Sequence, residues 1–382
     1  MLKFFKIKDQ KSKTRETSTI VRLSLGVITA LFIGCGEKDK DQSSPTIPQL
    51  KLSGPEEEGM EAESLEQARD YAFNIAENTQ SLVILRNGRI VAEWYEEGKD
   101  KDSLGTSWSM AKSMASALVG IALDRGEIDS LEVPLSDYFP DWENAKIDNI
   151  TLRHLLEMRS GLDWNENEQA PVMALESQDH LAYALNRPVA YEPGQRFNYS
   201  SGDSMLLAQV IQQATGEDLA DYAENHLWQP IGVNADWWKD GEGNYLTYCC
   251  VDATARDYAK FGQLFLDLGK TGDQQVISES WVQESTNAAP DLDRYGLHWW
   301  TNKNESQVIG APENMFVAAG LHEQFIFVFP DQNLVVVRNS TYRRTSEEAV
   351  AELGVGIETQ GDPNWDSASL ILPILKSVGY TP

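Results

Sequence analysis

The stretch Thr106–Gly126, TSWSMAKSMASALVGIALDRG, sets a serine and a lysine three residues apart, Ser109 and Lys112, at the front of an apolar helical run. Residues i and i+3 share a helix face, so the amine can reach the hydroxyl. Serine is a weak nucleophile until a neighbouring base takes its proton. A lysine can be that base when burial or a second cation lowers its pKa. The side chains from Met110 to Ile121 are mostly small or apolar, which sets the amine against a packed core. Backbone N–H groups at a helix N-terminus also favour a developing oxyanion. The spacing alone is a weak signal, expected about once by chance in a chain of this length. The rival reading makes Ser109 a helix cap and Lys112 a surface residue.

The elements that must position this pair are legible from periodicity and turn chemistry. Glu63 to Asn78 reads as a helix, with Leu65, Ala68, Ala72, Ile75 and Ala76 on one face. SLVILRNGRIVAEWYEEG reads as a hairpin about Asn87-Gly88. Met110 to Arg125 is helical and stops at Gly126. Thr151 caps a short helix that ends by Gly161, and a loop is expected from there to about Pro193. Helices follow at Met205–Ala214, from Asp218 to Trp228, and at Ala253–Leu268. RYGLHWW, FVAAGL and QFIFVFPDQNLVVVRNS read as strands, and Ser367–Val378 as a closing helix interrupted at Pro373. The pattern predicts an α+β fold. An antiparallel sheet forms from the N-terminal hairpin and the C-terminal strands, flanked by terminal helices, with a helical region inserted between them.

The N-terminal 35 of the 382 residues read as a targeting segment. A basic region from Lys3 to Arg22 precedes the apolar run Leu23–Gly34, which ends at Cys35. This resembles a bacterial lipoprotein signal, which predicts an exported protein held to a membrane by lipid on Cys35; an ordinary secretory signal or an uncleaved anchor is the alternative. Residues 36–59 are polar and Pro-bearing, as expected of a flexible tether, and residues 60–382 make the folded part. The net charge of −27 argues against nucleic acid as a partner. Cys249 and Cys250 are adjacent and are expected as two buried thiols, with a disulfide between neighbours as the lesser possibility. His154, His180, His226, His298 and His322 show no metal-ligand spacing, so no metal or organic cofactor is expected.

Five ordered blocks then carry a resemblance: SWSMAKSMASALVGIALDRGEI, ITLRHLLEMRSGLDW, YEPGQRFNYSSGDSMLLAQVIQQATGEDLADY, ATARDYAKFGQLFLDLG and FVAAGLHEQFIFVFPDQNLVVVR. They are similar to the serine β-lactamase and penicillin-binding-protein superfamily, in a class C-like branch with esterases and 6-aminohexanoate-dimer hydrolases. The resemblance implies a β-lactamase/transpeptidase-like fold. Its α/β part would span about 60–110 and 240–382 and its all-helical part about 111–239, with the active site in the cleft between. It implies catalytic roles for Ser109, Lys112 and Tyr199, the last exchanging protons with Ser109 beside a cation. Ser201 then stands where an asparagine is usual and can bond Lys112 or substrate. The literal Lys270-Thr271-Gly272 follows a helix stop and reads as coincidence. In the better match Leu321-His322-Glu323 take the place of that box, and the Gln324 N–H joins that of Ser109 as oxyanion donor. His322 can take part of the missing cation's role, or be structural. Trp164 and Trp300 are candidates for the acyl pocket, although Trp299 and Trp300 must point to opposite faces of a strand.

The expected activity is hydrolysis of a small ester or amide through an acyl-enzyme on Ser109. D-alanyl carboxypeptidase or β-lactamase action is the first alternative, and a non-catalytic binding or sensor lipoprotein the second.

Overall fold

The computed structural model describes residues 49–76, 78–142, 147–289, 291–341 and 362–382. Cys35 and the targeting segment lie outside the described residues, as does most of the expected tether. The described strands are β1 Lys51–Leu52, β2 Thr79–Arg86, β3 Arg89–Tyr95, β4 Leu104–Thr106, β5 Ala235–Trp237, β6 Val251–Thr254, β7 Lys270–Thr271, β8 Gln274–Gln275, β9 Trp300–Thr301, β10 Phe316–Gly320, β11 Gln324–Phe329 and β12 Leu334–Ser340. The helices are α1 Ala62–Asp70, α2 Ala111–Asp124, α3 Leu152–Leu156, α4 Glu166–Glu176, α5 His180–Leu185, α6 Ser201–Thr215, α7 Leu219–Ala223, α8 Gln229–Ile231, α9 Ala255–Leu266, α10 Glu279–Ser285 and α11 Ser367–Ser377.

The main sheet runs β1-β3-β2-β12-β11-β10-β9. It is antiparallel except where β1 joins β3. Asn87 and Gly88 take φ of 52° and 71°, the two left-handed residues of a tight hairpin turn between β2 and β3. Strands β2 and β12 are central and buried on both faces. Their side chains alternate. Leu82, Ile84, Leu334 and Val336 face α1 and α11, in a cluster with Leu65, Ala68, Leu370 and Ile374. Val83, Leu85, Val335 and Val337 face α2, α9 and the inserted helices. Helix α2 buries twelve of its fourteen residues, so it runs through the interior and not along a surface. Small residues let it do so: Gly120 lies where a Cβ would meet the Trp281 ring at 2.4 Å.

The structure departs from the sequence expectation at several places. The expected loop 161–193 contains α4 and α5, started by the caps Asn165 and Asp179. Both helices bury few residues, and α4 carries Pro171, so neither has a strong apolar period. Helix α11 is continuous through Pro373, because Leu370, Ile371, Ile374 and Leu375 pack on the sheet and offset the lost backbone bond. In RYGLHWW only Trp300 lies in a described strand; the preceding chain turns at His298, φ 64°. Residues 51–52, expected in the tether, instead add β1 to the sheet edge, and Ser53 N–H continues the bonding to Ile90 O at 3.0 Å. Lys270-Thr271-Gly272 sits in the small β7–β8 hairpin, apart from the main sheet.

Filling the space over α2 tests this packing. Gly to Ala in an open helix gains about 1 kcal/mol, whereas overpacking a core costs about 1–3 kcal/mol. Gly120→Ala is expected to lower the melting temperature followed by circular dichroism; a rise would show that α2 does not pack on Trp281.

Candidate active site

Ser109 does not cap α2. It sits in a single 3-10 turn, Trp108–Met110, that feeds the helix, and no side-chain cap bond is made there. The turn is fixed from behind. Ser107 N–H donates to Val251 O at 2.8 Å, and Ser107 Oγ accepts from Val251 N–H at 2.9 Å. Trp108 takes a φ of 46°, a left-handed conformation that costs energy for a bulky residue.

Lys112 is 1 % exposed, so the rival surface reading fails. Its Nζ lies 3.1 Å from Ser109 Oγ, 3.2 Å from Ser201 Oγ and 2.8 Å from Tyr248 O. Burial pulls its pKa down to about 8, with the Glu166 carboxylate partly opposing the fall. The partners decide where the neutral amine can aim its lone pair. Tyr248 O can only accept. Ser201 commits its proton to Glu166 Oε1 and therefore also accepts from Lys112. The lone pair is left with Ser109.

The Tyr199 phenol is hydrogen-bonded with the Ser109 hydroxyl. Its ring stacks on Trp300, with centroids 5.4 Å apart and planes 23° from parallel, and the Lys112 amine lies 5.0 Å from the ring centre. Burial, then the Glu166 charge, raises the phenol pKa above its ordinary value, and the Ser109 bond offsets this only in part. Tyr199 is therefore a neutral phenol at neutral pH. The structure thus brings Ser109, Lys112, Tyr199 and Ser201 together. The directions of the two shifts match the reading of Lys112 as a base lowered by burial, and differ from the role that the resemblance implies for Tyr199 beside a cation. The amine beside Ser109 is the easier group to deprotonate, and the phenol keeps its proton.

The other expected site residues divide. Trp300 forms the shelf under Tyr199, while Trp299 on the other face is fully buried among Phe261, Phe265 and Phe316. Trp164 is 5 % exposed and holds Glu166 through its Nε1–H at 2.6 Å, so it supports the site and does not line an acyl pocket. His322 is 7 % exposed in the turn between β10 and β11, with its ring edge-on to Trp108 at 5.4 Å. The Gln324 side chain is fully buried. It donates to Ser340 O and Oγ and accepts from Ser340 N–H and Asn339 Nδ2. Its backbone belongs to β11, one strand behind β10. The strand that meets the nucleophile turn is β10, where a Cβ on Gly320 would stand 2.4 Å from Ser107 O.

Two contributors were absent from the sequence reading. Glu166 begins α4 just after its cap Asn165, a favoured place for a carboxylate, but nothing in the sequence points it at Ser201. Tyr248 contributes a carbonyl oxygen, which every residue carries and no sequence pattern marks. Cys249 and Cys250 correct another expectation: they form a disulfide, not two thiols. The turn at residues 247–250, with Cys250 at φ 73°, brings the two sulfurs together directly after the Tyr248 carbonyl that holds Lys112.

Comparisons with known proteins bear on the family and the fold. The sequence model of the family described as beta-lactamase matches residues 74–357. A 6-aminohexanoate-dimer hydrolase of Paenarthrobacter ureafaciens is 24% identical over 294 residues, covering 69% of this chain and 73% of that protein. A putative D-alanyl-D-alanine carboxypeptidase of Escherichia coli is 27% identical over 234 residues, 54% of each chain. Among solved structures, a putative 6-aminohexanoate-dimer hydrolase from Bacillus anthracis aligns with a TM-score of 0.65 at 22% identity, covering 81% of this chain and 86% of that one. A family VIII carboxylesterase aligns with a TM-score of 0.62 at 17% identity, covering 84% and 99%. At such identities the structural likeness shows the fold. With the family match spanning most of the sequence, the chain belongs to the beta-lactamase family and is a serine hydrolase.

Proposed function

We propose that the protein hydrolyses a small ester or amide through an acyl-enzyme on Ser109. The observation that carries this is the buried Lys112 amine, whose other two partners can only accept, so that its lone pair faces Ser109. Neutral Lys112 takes the Ser109 proton as Oγ attacks the carbonyl carbon. A positioned base of this kind contributes about 10²–10⁴-fold. Neutral Tyr199 protonates the leaving alkoxide or amine and regains a proton from the Lys112 ammonium. Water then attacks the acyl-enzyme, and the protons return by the reverse route.

The oxyanion is held by the Ser109 N–H and by a second N–H from the end of β10. Because Gly320 is the residue against Ser107, this reading takes the N–H of Leu321, the next residue in the chain, in place of that of Gln324. Such a donor is worth about 3 kcal/mol. The end of β10 carries Ala318, Ala319 and Gly320, which offer neither a cation nor a hydroxyl to a substrate carboxylate. That favours a neutral ester or amide over a β-lactam or peptide terminus. The names of the relatives, a 6-aminohexanoate-dimer hydrolase and a carboxylesterase among them, support the same class. The basic leader and Cys35 support export and lipid anchoring as part of the same proposal.

A fluorophosphonate is expected to label Ser109 in the wild type and nothing in Ser109→Ala; a folded chain that stays unlabelled overturns the proposal. With Lys112 at about 8, kcat/KM for p-nitrophenyl esters should rise with pH through about pH 8, as the amine loses its proton. A limb set instead near the ordinary lysine range, about 10.4, would remove Lys112 from the role of base. Nitrocefin should not turn over. Gly320→Ala should cut kcat about 10²-fold by pushing the strand end off the nucleophile turn, and unchanged kcat would show that β10 does not shape the site. Cys35→Ala should move the protein from the detergent phase to the aqueous phase on phase partition; wild type already in the aqueous phase would end the anchoring proposal.

A further inference from the structure

We propose that Glu166 is a positioning residue that aims the Lys112 lone pair at Ser109 by fixing the proton of Ser201; this rests on the hydrolase reading above. The carboxylate has three donors. Oε2 accepts from Trp164 Nε1–H at 2.6 Å and from Ser201 N–H at 2.8 Å. Oε1 accepts from the Ser201 hydroxyl. An ionised carboxylate is an acceptor only, so it forces the Ser201 proton outward to itself and turns a lone pair of Ser201 toward Lys112. A hydroxyl without that constraint can rotate and donate to the neutral amine. The amine would then spend its lone pair on Ser201 and present only N–H to Ser109. Glu166 does not touch the reacting atoms; it works through one hydroxyl rotor.

Its charge acts in the same place. The groups around Lys112 are Tyr199 before α6, Tyr248 in the 247–250 turn and His298 ahead of β9. Burial keeps both phenols protonated and holds His298 neutral, with a pKa near 3. Asp203 on α6 is buried and bonded to Ser160 and Ser200, with its pKa raised to about 7. Glu166 is the charge that opposes the depression of the lysine.

Glu166→Gln separates aiming from mere support. A glutamine amide can place its oxygen on the two N–H donors or on the hydroxyl, but not on all three. If it serves the N–H groups, its NH₂ faces Ser201, and the hydroxyl must turn its proton to Lys112. The test is the rate of fluorophosphonate labelling of the full chain from about pH 6 to about pH 10, a span that brackets the lysine. Glu166→Gln is expected to slow labelling about 10²-fold and to move the midpoint of the rise to lower pH, since the anion that favours the ammonium is gone. In a Ser201→Ala background the same substitution should add little further slowing, because the two act as one unit.

An unchanged rate overturns the proposal, as does a slower rate with an unmoved midpoint or full additivity with Ser201→Ala. If Glu166→Gln gives no cooperative melt, Trp164→Phe decides. It strips one donor from a carboxylate that keeps its charge, so the midpoint should move up, and a midpoint that stays or falls overturns the proposal. A wild-type chain that never labels overturns the nucleophile reading instead.

Discussion

The burial of one ammonium group governs this structure. Lys112 lies within α2, a helix enclosed on nearly every side, and taking a charge out of water is costly unless partners replace the water. Three segments supply them: the turn before α2, the start of α6 and the turn ahead of β6. They are far apart in sequence, and besides the amine they are tied by Ser107 to Val251 and by the Thr247 hydroxyl, which donates to Ser204 O. The compromise is a lysine held near the point of losing its proton at neutral to mildly alkaline pH, a state useful to a base and of little use to an ordinary ion pair.

The same dry surroundings act in the opposite sense on the neighbouring phenol. Burial disfavours charge, so it lowers the pKa of an amine and raises that of a phenol. Two groups against one hydroxyl are thus pushed toward the same neutral form, one able to accept a proton and the other to give one. The aromatic stack of Tyr199 on Trp300 fixes the phenol without adding a polar partner that would shift it back. The main sheet contributes by position: β9 carries Trp300, and the end of β10 is set against the nucleophile turn.

Much of this was legible in the sequence where local chemistry is strong. Asn87-Gly88 fixed the hairpin, Thr151 and Asp218 cap helices as expected, and the strand pairs at the two ends of the chain make one sheet. The Ser109–Lys112 spacing and Tyr199 were readable because side-chain identity carries their chemistry. What was not readable depends on backbone or on rotors. The Tyr248 carbonyl has no sequence signature, and the Glu166–Ser201 bond joins two segments that meet only in the fold. The helices α4 and α5 were missed because cap residues, not an apolar stripe, define them. The Cys249–Cys250 bond was ranked below two thiols because sequence shows the adjacency but not the turn that closes it.

The pairing of β2 with β12 has a consequence in time. Leu334 lies opposite Arg86 at the centre of the sheet, so the middle of the sheet closes across nearly the whole helical region. Closing so long a loop carries an entropic cost before any contact repays it, and pairings of this kind form late. A ribosome releases the N-terminal hairpin long before its partner strand exists. Until β12 is paired, the sheet face that packs against α2 through Val335 and Val337 is incomplete. The site is therefore built late, because the sheet behind α2 closes only when residues about 250 positions apart have met.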